Sequence, residues 1–166
     1  MPLTPFHLGP GLFLGSLTLR FFNLWAILLG SIVMDIEPTV LLIIRKCYSC
    51  PHHAFFHSIL GAIFGSLILA AILWKFREKL DKISLKFKIR QSFSFPVLFF
   101  SSLTAWLLHI FFDSLTHFDV FPFWPSHFNP IFIGKEIYWP LHLIFLIFGI
   151  AGLLIFIKTK RSLNNK

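Results

Sequence analysis

Three polar residues recur at four-residue intervals in an otherwise apolar stretch: His109, Asp113 and His117. Four residues advance an α-helix by about 400°, so these side chains would share one face at intervals of about 6 Å. Two imidazoles and a carboxylate on one face can bind a divalent cation, because Zn²⁺, Mn²⁺ and Fe²⁺ accept both nitrogen and carboxylate oxygen. A hydrogen-bonded pair between helices is the alternative. An ionised group in an apolar segment is costly without a partner, which favours metal binding.

Three histidines that follow Pro51 form a second candidate group: His52, His53 and His57. Pro51 suits the first turn of a helix, which would place His52 and His53 at its beginning and His57 one turn later. His53 and His57 would then share a face, whereas His52 joins His57 only if the first turn is irregular. Polar surface is the alternative for one of the two histidines at the helix start.

Two carboxylates, Asp35 and Glu37, stand at the end of an apolar arm, just before Pro38. We expect Pro38 to end this helix, which would set both acids against the negative end of its dipole. A bound cation would remove this conflict, and solvated acids at the membrane surface are the alternative. Either carboxylate is a candidate general base if it does not bind the metal.

The composition indicates that a membrane surrounds these residues. The chain has 166 residues, of which 56% are hydrophobic and 13% are charged, whereas about 25% of an average soluble domain is charged. A soluble monomer, a disordered chain, collagen and a coiled coil are therefore excluded. At this length we expect a single membrane domain, residues 1–166.

The apolar runs predict an all-α fold, an integral membrane helical bundle. The runs 54–74, 96–115 and 139–157 match the roughly 20 residues that a helix needs to cross the membrane. The run 6–34 is interrupted by Arg20 and Asn23, so it predicts a short N-terminal helical hairpin. We expect three full spans plus this hairpin, and an interfacial position for the brief apolar stretch 39–44.

Basic residues set the orientation of such a protein. Of the fifteen Lys and Arg, seven lie in the loop 75–95 and four in the tail 158–166, so we expect both segments to be cytoplasmic. All eight histidines, His7 included, then fall on the outer side. This predicts a site on the extracytoplasmic face, covered by the loop 116–138, which is rich in Pro and aromatic residues.

The formal net charge of +8 does not indicate nucleic acid, because the charge is concentrated in these two segments. Basic and apolar residues interleave at 75–90, so we expect this segment to contact anionic headgroups of membrane lipids. The oligomeric state is left open. Cys47 and Cys50 have the C-x-x-C spacing, a weak signal that fits a disulfide or inert thiols better than a metal site.

The chain resembles the YdjM-type family of membrane-bound, metal-dependent hydrolases, a bacterial and archaeal inner-membrane group. The similarity runs in order over residues 4–125 and implies a divalent-metal site with hydrolytic activity in the inner membrane. Glu37 stands where the family has a second Asp, and His53 stands where it has an Arg that would clamp phosphate or carboxylate. The matching elements are His7, the acidic segment 34–37, the histidine segment 52–58, then His109, Asp113 and Thr116, and finally Trp124 and Pro125.

We therefore expect a membrane-embedded metal-dependent hydrolase in which metal-activated water attacks an ester or phosphoester of a lipid-like substrate. It would hold one or two divalent metals, with Zn²⁺ preferred and Mn²⁺ or Fe²⁺ as alternatives. A transporter, a metal that only joins helix ends and a lipid-binding scaffold led by the basic loop are the competing functions. The predicted catalytic residues are Asp35 and Glu37, and the predicted metal ligands are His7, Asp35, His52, His57, His109 and Asp113.

Overall fold

The computed structural model describes residues 4–46 and 51–164, and every regular element in them is a helix, as predicted. Cys47 and Cys50 lie outside the described residues. Short 3₁₀ turns precede four of the helices, at Thr4–His7, Val33–Asp35, Phe55–His57 and Lys135–Ile137. The α-helices are α1 (Leu8–Leu17), α2 (Leu24–Gly30), α3 (Ile36–Arg45), α4 (Ile59–Lys75), α5 (Arg77–Lys86), α6 (Phe95–Thr116) and α7 (Tyr138–Asn164).

Three stretches of the described chain are long and apolar enough to cross a membrane: Leu24–Arg45, Phe95–Thr116 and Lys135–Thr159. A fourth arises if α4 and α5 count as one span, although α5 bends away from α4 by 74°. The predicted spans 96–115 and 139–157 correspond to α6 and α7. The membrane helical bundle is thus confirmed, with three or four candidate spans.

The N-terminal hairpin consists of α1 and α2, which pack against each other. Its first arm also packs along α7, and its second arm packs on α6. The second arm does not end with α2, because a 3₁₀ turn links it to α3. The stretch 39–44, which we expected to be interfacial, is therefore the continuation of a candidate span.

The prediction that Pro38 ends a helix was wrong. Pro38 lies in the first turn of α3, where a backbone nitrogen needs no helical acceptor and the fixed proline geometry is tolerated. Asp35 occupies the N-cap position and Glu37 the first turn. A helix start favours negative charge, so the expected conflict with the helix dipole does not exist.

The prediction that a helix starts at Pro51 was also wrong. Residues 51–54 are not helical, and α4 begins only at Ile59, because side-chain acceptors from elsewhere hold this segment. The backbone N–H groups of His52 and His53 donate to Asp119 Oδ2. Ser58 then caps α4 by accepting from the N–H of Gly61.

Asn23 fixes the tip of the hairpin to the end of the bundle at which α6 begins. Its Nδ2 donates to the carbonyl of Ser92 at 2.8 Å, and its backbone N–H donates to Ser101 Oγ at 2.8 Å. Its Oδ1 also accepts from the N–H of Ala26, which caps α2. His109 follows Ser101 by two helical turns, about 12 Å along α6, so the hairpin reaches from this end to the level of the histidines.

Close helix packing brings the start of α1 against α7. A Cβ at Gly9 would collide with the backbone carbonyl of Phe145 on α7, and one at Gly152 would lie 2.6 Å from the backbone nitrogen of Phe13. Small residues at such crossings let two helices approach within a membrane. This contact holds His7, the residue before α1, beside α6 and α7.

Candidate metal centre

Four buried side chains from three parts of the chain converge at one point: Asp35, His57, His109 and Asp113. On α6, His109 Nε2 lies 3.0 Å from Asp113 Oδ2, one helical turn later. The same nitrogen lies 3.2 Å from Asp35 Oδ1, in the turn before α3. His57 Nε2, in the turn before α4, lies 3.7 Å from Asp35 Oδ1 and 3.8 Å from Asp113 Oδ2.

These separations fit a single divalent cation. A tetrahedron with metal–ligand bonds of about 2.0–2.2 Å has edges of about 3.3–3.6 Å, and the four measured distances, from 3.0 to 3.8 Å, bracket that range. Two imidazoles and two carboxylates suit Zn²⁺, and also Mn²⁺ or Fe²⁺. The group could therefore hold a metal ion, while the donor set does not distinguish among these metals.

The second nitrogen of each histidine shows which way its ring faces. His109 Nδ1 lies 2.7 Å from the carbonyl of Ser31, and because a carbonyl only accepts, Nδ1 carries the proton. In a neutral ring, Nε2 of His109 then turns a lone pair toward two carboxylates. Lone pair and carboxylates repel one another unless a cation or a further proton lies between them. Ligating histidines typically show this pattern, with the other nitrogen bonded to a carbonyl or carboxylate.

His57 is oriented in the same manner by Glu37. Glu37 Oε2 lies 3.1 Å from His57 Nδ1, and the two Glu37 oxygens also accept from the backbone N–H groups of Ala54 and Phe56. Trp106 on α6 fixes the same turn by donating to the carbonyl of Phe56 at 2.9 Å. His57 Nε2 has no hydrogen-bond partner within the described ranges, so this nitrogen is left to face the cluster.

A second group of possible ligands adjoins the first and shares one residue with it: His53, Asp113 and His117. His53 Nε2 lies 3.9 Å from Asp113 Oδ2, and the rings of His53 and His117 are 4.8 Å apart between centroids. Burial lowers the pKa of His117 to about 4. The ring is therefore neutral at physiological pH and keeps the lone pair that a cation would need.

Asp119 holds His53 in place. Its Oδ2 lies 3.0 Å from His53 Nδ1 and accepts the backbone N–H groups of His52 and His53 at 2.8 and 3.2 Å. Partial burial opposes ionisation of this carboxyl, but the contacts with His53 and the two N–H groups outweigh it and keep the pKa of Asp119 below its ordinary value. The charged carboxylate is thus the stable form, which suits a residue that orients an imidazole.

The remaining predicted residues are near the centre without belonging to either group. His7 Nε2 lies 3.2 Å from Asp113 Oδ1, and the ring of His7 stacks on that of His109 at 3.8 Å. Glu37 contacts His57 rather than the centre of the cluster. His52 is buried beside the cluster, but its contact with Asp119 is made by the backbone.

Sequence reasoning left His53 and Asp119 out of the predicted site. The stripe on α6 did place His117 on the same face as Asp113, although His117 was not among the predicted ligands. Sequence spacing gave no signal for Asp119, because the loop after α6 brings this residue to His53 only in the folded structure. For His53 a signal existed, because the helical register that we assumed after Pro51 placed it on the face of His57. It was nevertheless left out of the predicted ligands, since it stands where the family that the chain resembles has an Arg.

An apolar cavity of about 370 Å³ opens beside the cluster, between α3 and α4. Met34 and Phe56, which each precede a residue of the first group, lie along it together with Glu37. Its outer walls include Val40 and Ile68, whose side chains are exposed. The cavity thus connects the apolar outer surface of the bundle to the neighbourhood of the candidate ligands.

Comparison with curated proteins and with solved structures gave no match. The family model described as YdjM inner membrane protein matches residues 1–164. With its apolar spanning helices and its buried cluster of histidines and aspartates, the chain belongs to the YdjM inner membrane protein family.

Proposed function

We propose that the protein is a membrane-embedded, metal-dependent hydrolase that cleaves an ester or phosphoester of a lipid-like substrate. The observation that supports this most strongly is the position of His109 Nε2, which faces carboxylate oxygens of Asp113 at 3.0 Å and Asp35 at 3.2 Å while Nδ1 donates to a carbonyl. An apolar environment leaves such a group few ways to balance its charge, and buried ionisable residues in membrane proteins are functional by default.

In this proposal Asp35, His57, His109 and Asp113 bind the metal, with Zn²⁺ preferred. A bound divalent metal lowers the pKa of water toward 7 and polarises the bond to be cleaved. Asp35 would bind through Oδ1 and is therefore not the general base in this proposal. Its Oδ2 is buried and has no hydrogen-bond partner in the described part of the chain, so this oxygen can accept a hydrogen bond from metal-bound water. Glu37 acts as a positioning residue, because its carboxylate is occupied by His57 and two backbone N–H groups.

The apolar cavity supports a substrate with a hydrocarbon chain. One part of its wall is formed by exposed side chains such as Val40 and Ile68, which would face lipid, and another by Met34 and Glu37, next to the candidate ligands. An acyl chain lying there would bring its headgroup linkage toward Glu37, whose carboxylate contacts the candidate ligand His57. A soluble substrate would gain nothing from apolar walls of this kind.

We further propose that the centre faces the extracytoplasmic side. The positive-inside rule assigns the basic segment 75–95 to the cytoplasm, and the hairpin tip at Asn23 bonds to Ser92 within that segment. The candidate ligands His109 and Asp113 lie farther along α6, toward its opposite end. Helix α5 carries basic residues and bends from α4 by 74°, which suits contact with anionic headgroups along the membrane surface.

A second function is favoured by the number of donors. Four protein ligands around zinc are typical of a closed, structural site, whereas a catalytic zinc keeps a position open. In that case the cation would only join the turns before α3 and α4 to α6. This alternative predicts a metal-dependent fold without hydrolysis.

The test compares detergent-purified protein, untreated and chelator-treated, with a His109→Ala, Asp113→Ala double variant. Metal content is measured by elemental analysis, and hydrolysis by mass spectrometry of products from a panel of phospholipids and neutral lipid esters. We expect metal and hydrolysis in the wild type, loss of both in the double variant, and recovery of the chelated wild type with Zn²⁺. Equal metal content in both proteins, or no metal in either, contradicts metal binding, and a metal-loaded wild type that hydrolyses no lipid supports the structural role.

A further inference from the structure

Two donors, His53 and His117, remain beside the first group once its four ligands are assigned. These two residues come from different parts of the chain. His53 lies before the 3₁₀ turn that leads into α4, and His117 directly follows α6. Each offers a ring nitrogen within 4.8 Å of the other and of a carboxylate oxygen of Asp113. His117 Nε2 is buried at the atom and has no hydrogen-bond partner in residues 4–46 or 51–164.

Asp113 belongs to both groups, and its two oxygens face different neighbours. Oδ2 faces His109 at 3.0 Å, His57 at 3.8 Å and His53 at 3.9 Å, while Oδ1 faces His7 at 3.2 Å. One hydrogen bond to Oδ2 would account for one of these imidazoles, but not for three around the same buried oxygen. A carboxylate shared between two sets of nitrogen donors is the arrangement that lets two cations lie about 3.5–4 Å apart.

Asp119 contacts both the backbone and the side chain of His53. Asp119 Oδ2 lies 3.0 Å from His53 Nδ1 and also accepts two backbone N–H groups. Contact between a carboxylate and the far nitrogen of an imidazole turns the near nitrogen toward the metal and raises its basicity. In this ring the near nitrogen, Nε2, points toward Asp113.

We propose that His53, Asp113 and His117 bind a second divalent cation, so that Asp113 bridges a two-metal centre. This inference rests on the proposed function for the first metal group and extends it. The first group supplies four protein donors, whereas the second supplies three and leaves room for a ligand that is not protein. The open position that hydrolysis requires is therefore at the second cation, and its half-buried residue His117 gives that side access to the loop after α6.

The test is the zinc stoichiometry of detergent-purified, chelator-stripped full-length protein that is reloaded with Zn²⁺ and freed of excess metal. We expect two zinc ions per chain in the wild type, one in His117→Gln, one in His53→Gln and one in Asp35→Asn. Asp113→Asn should retain none. His127→Gln is the matched control, because His127 is exposed and belongs to neither group, and it should retain two.

The outcomes separate the two proposals. One zinc in the wild type, unchanged by His117→Gln and His53→Gln but lost in Asp35→Asn, overturns the second site and leaves the first intact. No zinc in the wild type overturns both. One zinc retained by Asp113→Asn overturns the bridging role. Circular dichroism and size-exclusion profiles identify any misfolded variant, and His117→Gln, at a half-buried helix end, tests the second site without a change in the core.

Discussion

His109 Nε2 lies 3.2 Å from Asp35 Oδ1, although the two residues belong to different helical segments. The Nδ1–H of His109 is committed to the carbonyl of Ser31, so Nε2 has either a lone pair or an additional proton to offer Asp35. A cation satisfies both the lone pair and the carboxylate. A proton alone would leave an ion pair between His109 and Asp35 that needs no metal. The Zn²⁺ affinity of an Asp35 variant distinguishes these two cases.

Replacing Asp35 with Asn should weaken Zn²⁺ binding by more than about 100-fold, since the substitution removes an anionic ligand and the loss of an outer partner alone costs about 10–100-fold. The affinity is measured by competition with a chelator of known strength, and Asp81→Asn on α5 serves as the control because it changes the same charge away from the centre. Equal affinities in Asp35→Asn and the control would show that the His109 contact is an ordinary ion pair.

The α6 part of this centre was predictable because His109 and Asp113 lie in one helix and His117 directly follows its last residue, so helical periodicity indicates their common face. The same holds for α6 and α7, whose apolar length matches a membrane span, whereas the candidate span Leu24–Arg45 was predicted as a short arm and a separate interfacial stretch. The i, i+4 spacing of a helix does not predict the conformation of a segment whose backbone is held by residues distant in the sequence. The segment after Pro51 is such a case, since Asp119 and Glu37 hold its backbone out of a helix.

The acidic pair illustrates a second limit. A proline can follow the end of a helix or lie in its first turn, because neither position needs a backbone N–H for a helical hydrogen bond. The sequence around Pro38 does not distinguish the two positions. We chose the stop, whereas α3 begins there. The choice reversed the dipole argument for Asp35 and Glu37, yet their placement near the histidines followed from the membrane topology and did not depend on it.

Replacing Glu37 with Gln should lower Zn²⁺ affinity by about 10–100-fold while the fold is retained, because Glu37 orients His57 and does not itself reach the cluster. Chelator competition measures the affinity. Glu78→Gln is the matched control, as Glu78 is 82% exposed on α5. If Glu37→Gln instead removed hydrolysis at unchanged zinc affinity, Glu37 would be the general base and not a positioning residue.

Replacing Val40 with Trp should narrow the apolar cavity and select against long acyl chains. Exclusion of about three methylene groups at about 0.8 kcal/mol each would lower kcat/KM for long-chain esters by roughly 50-fold, with little effect on short-chain esters. Ile43→Trp is the control, because Ile43 is exposed on the same helix and does not line the cavity. The same loss for both chain lengths, or in both variants, would mean that the cavity does not hold the substrate chain.

The proposed orientation predicts which side of the membrane each end of the bundle faces. In a background with Cys47 and Cys50 replaced by Ser, Lys82→Cys should resist a membrane-impermeant thiol reagent in intact cells, and His127→Cys should react. Lysed cells provide the control, because both residues are exposed and should then react. Labelling of residue 82 alone in intact cells would place the metal centre on the cytoplasmic face.

Replacing Asn23 with Ala should destabilise the fold by about 1–3 kcal/mol, because it removes the α2 cap and leaves the carbonyl of Ser92 without the Nδ2 donor. Denaturation of zinc-free protein in detergent measures the free energy of unfolding without a metal contribution. Ser126→Ala, at an exposed position, is the matched polar-to-alanine control and should change stability by less than about 0.5 kcal/mol. Zinc affinity of the folded Asn23→Ala protein should match the wild type, since the tip lies about two helical turns from His109. A loss of zinc affinity equal to that of Asp35→Asn would show instead that the hairpin tip and the metal centre form one cooperative unit.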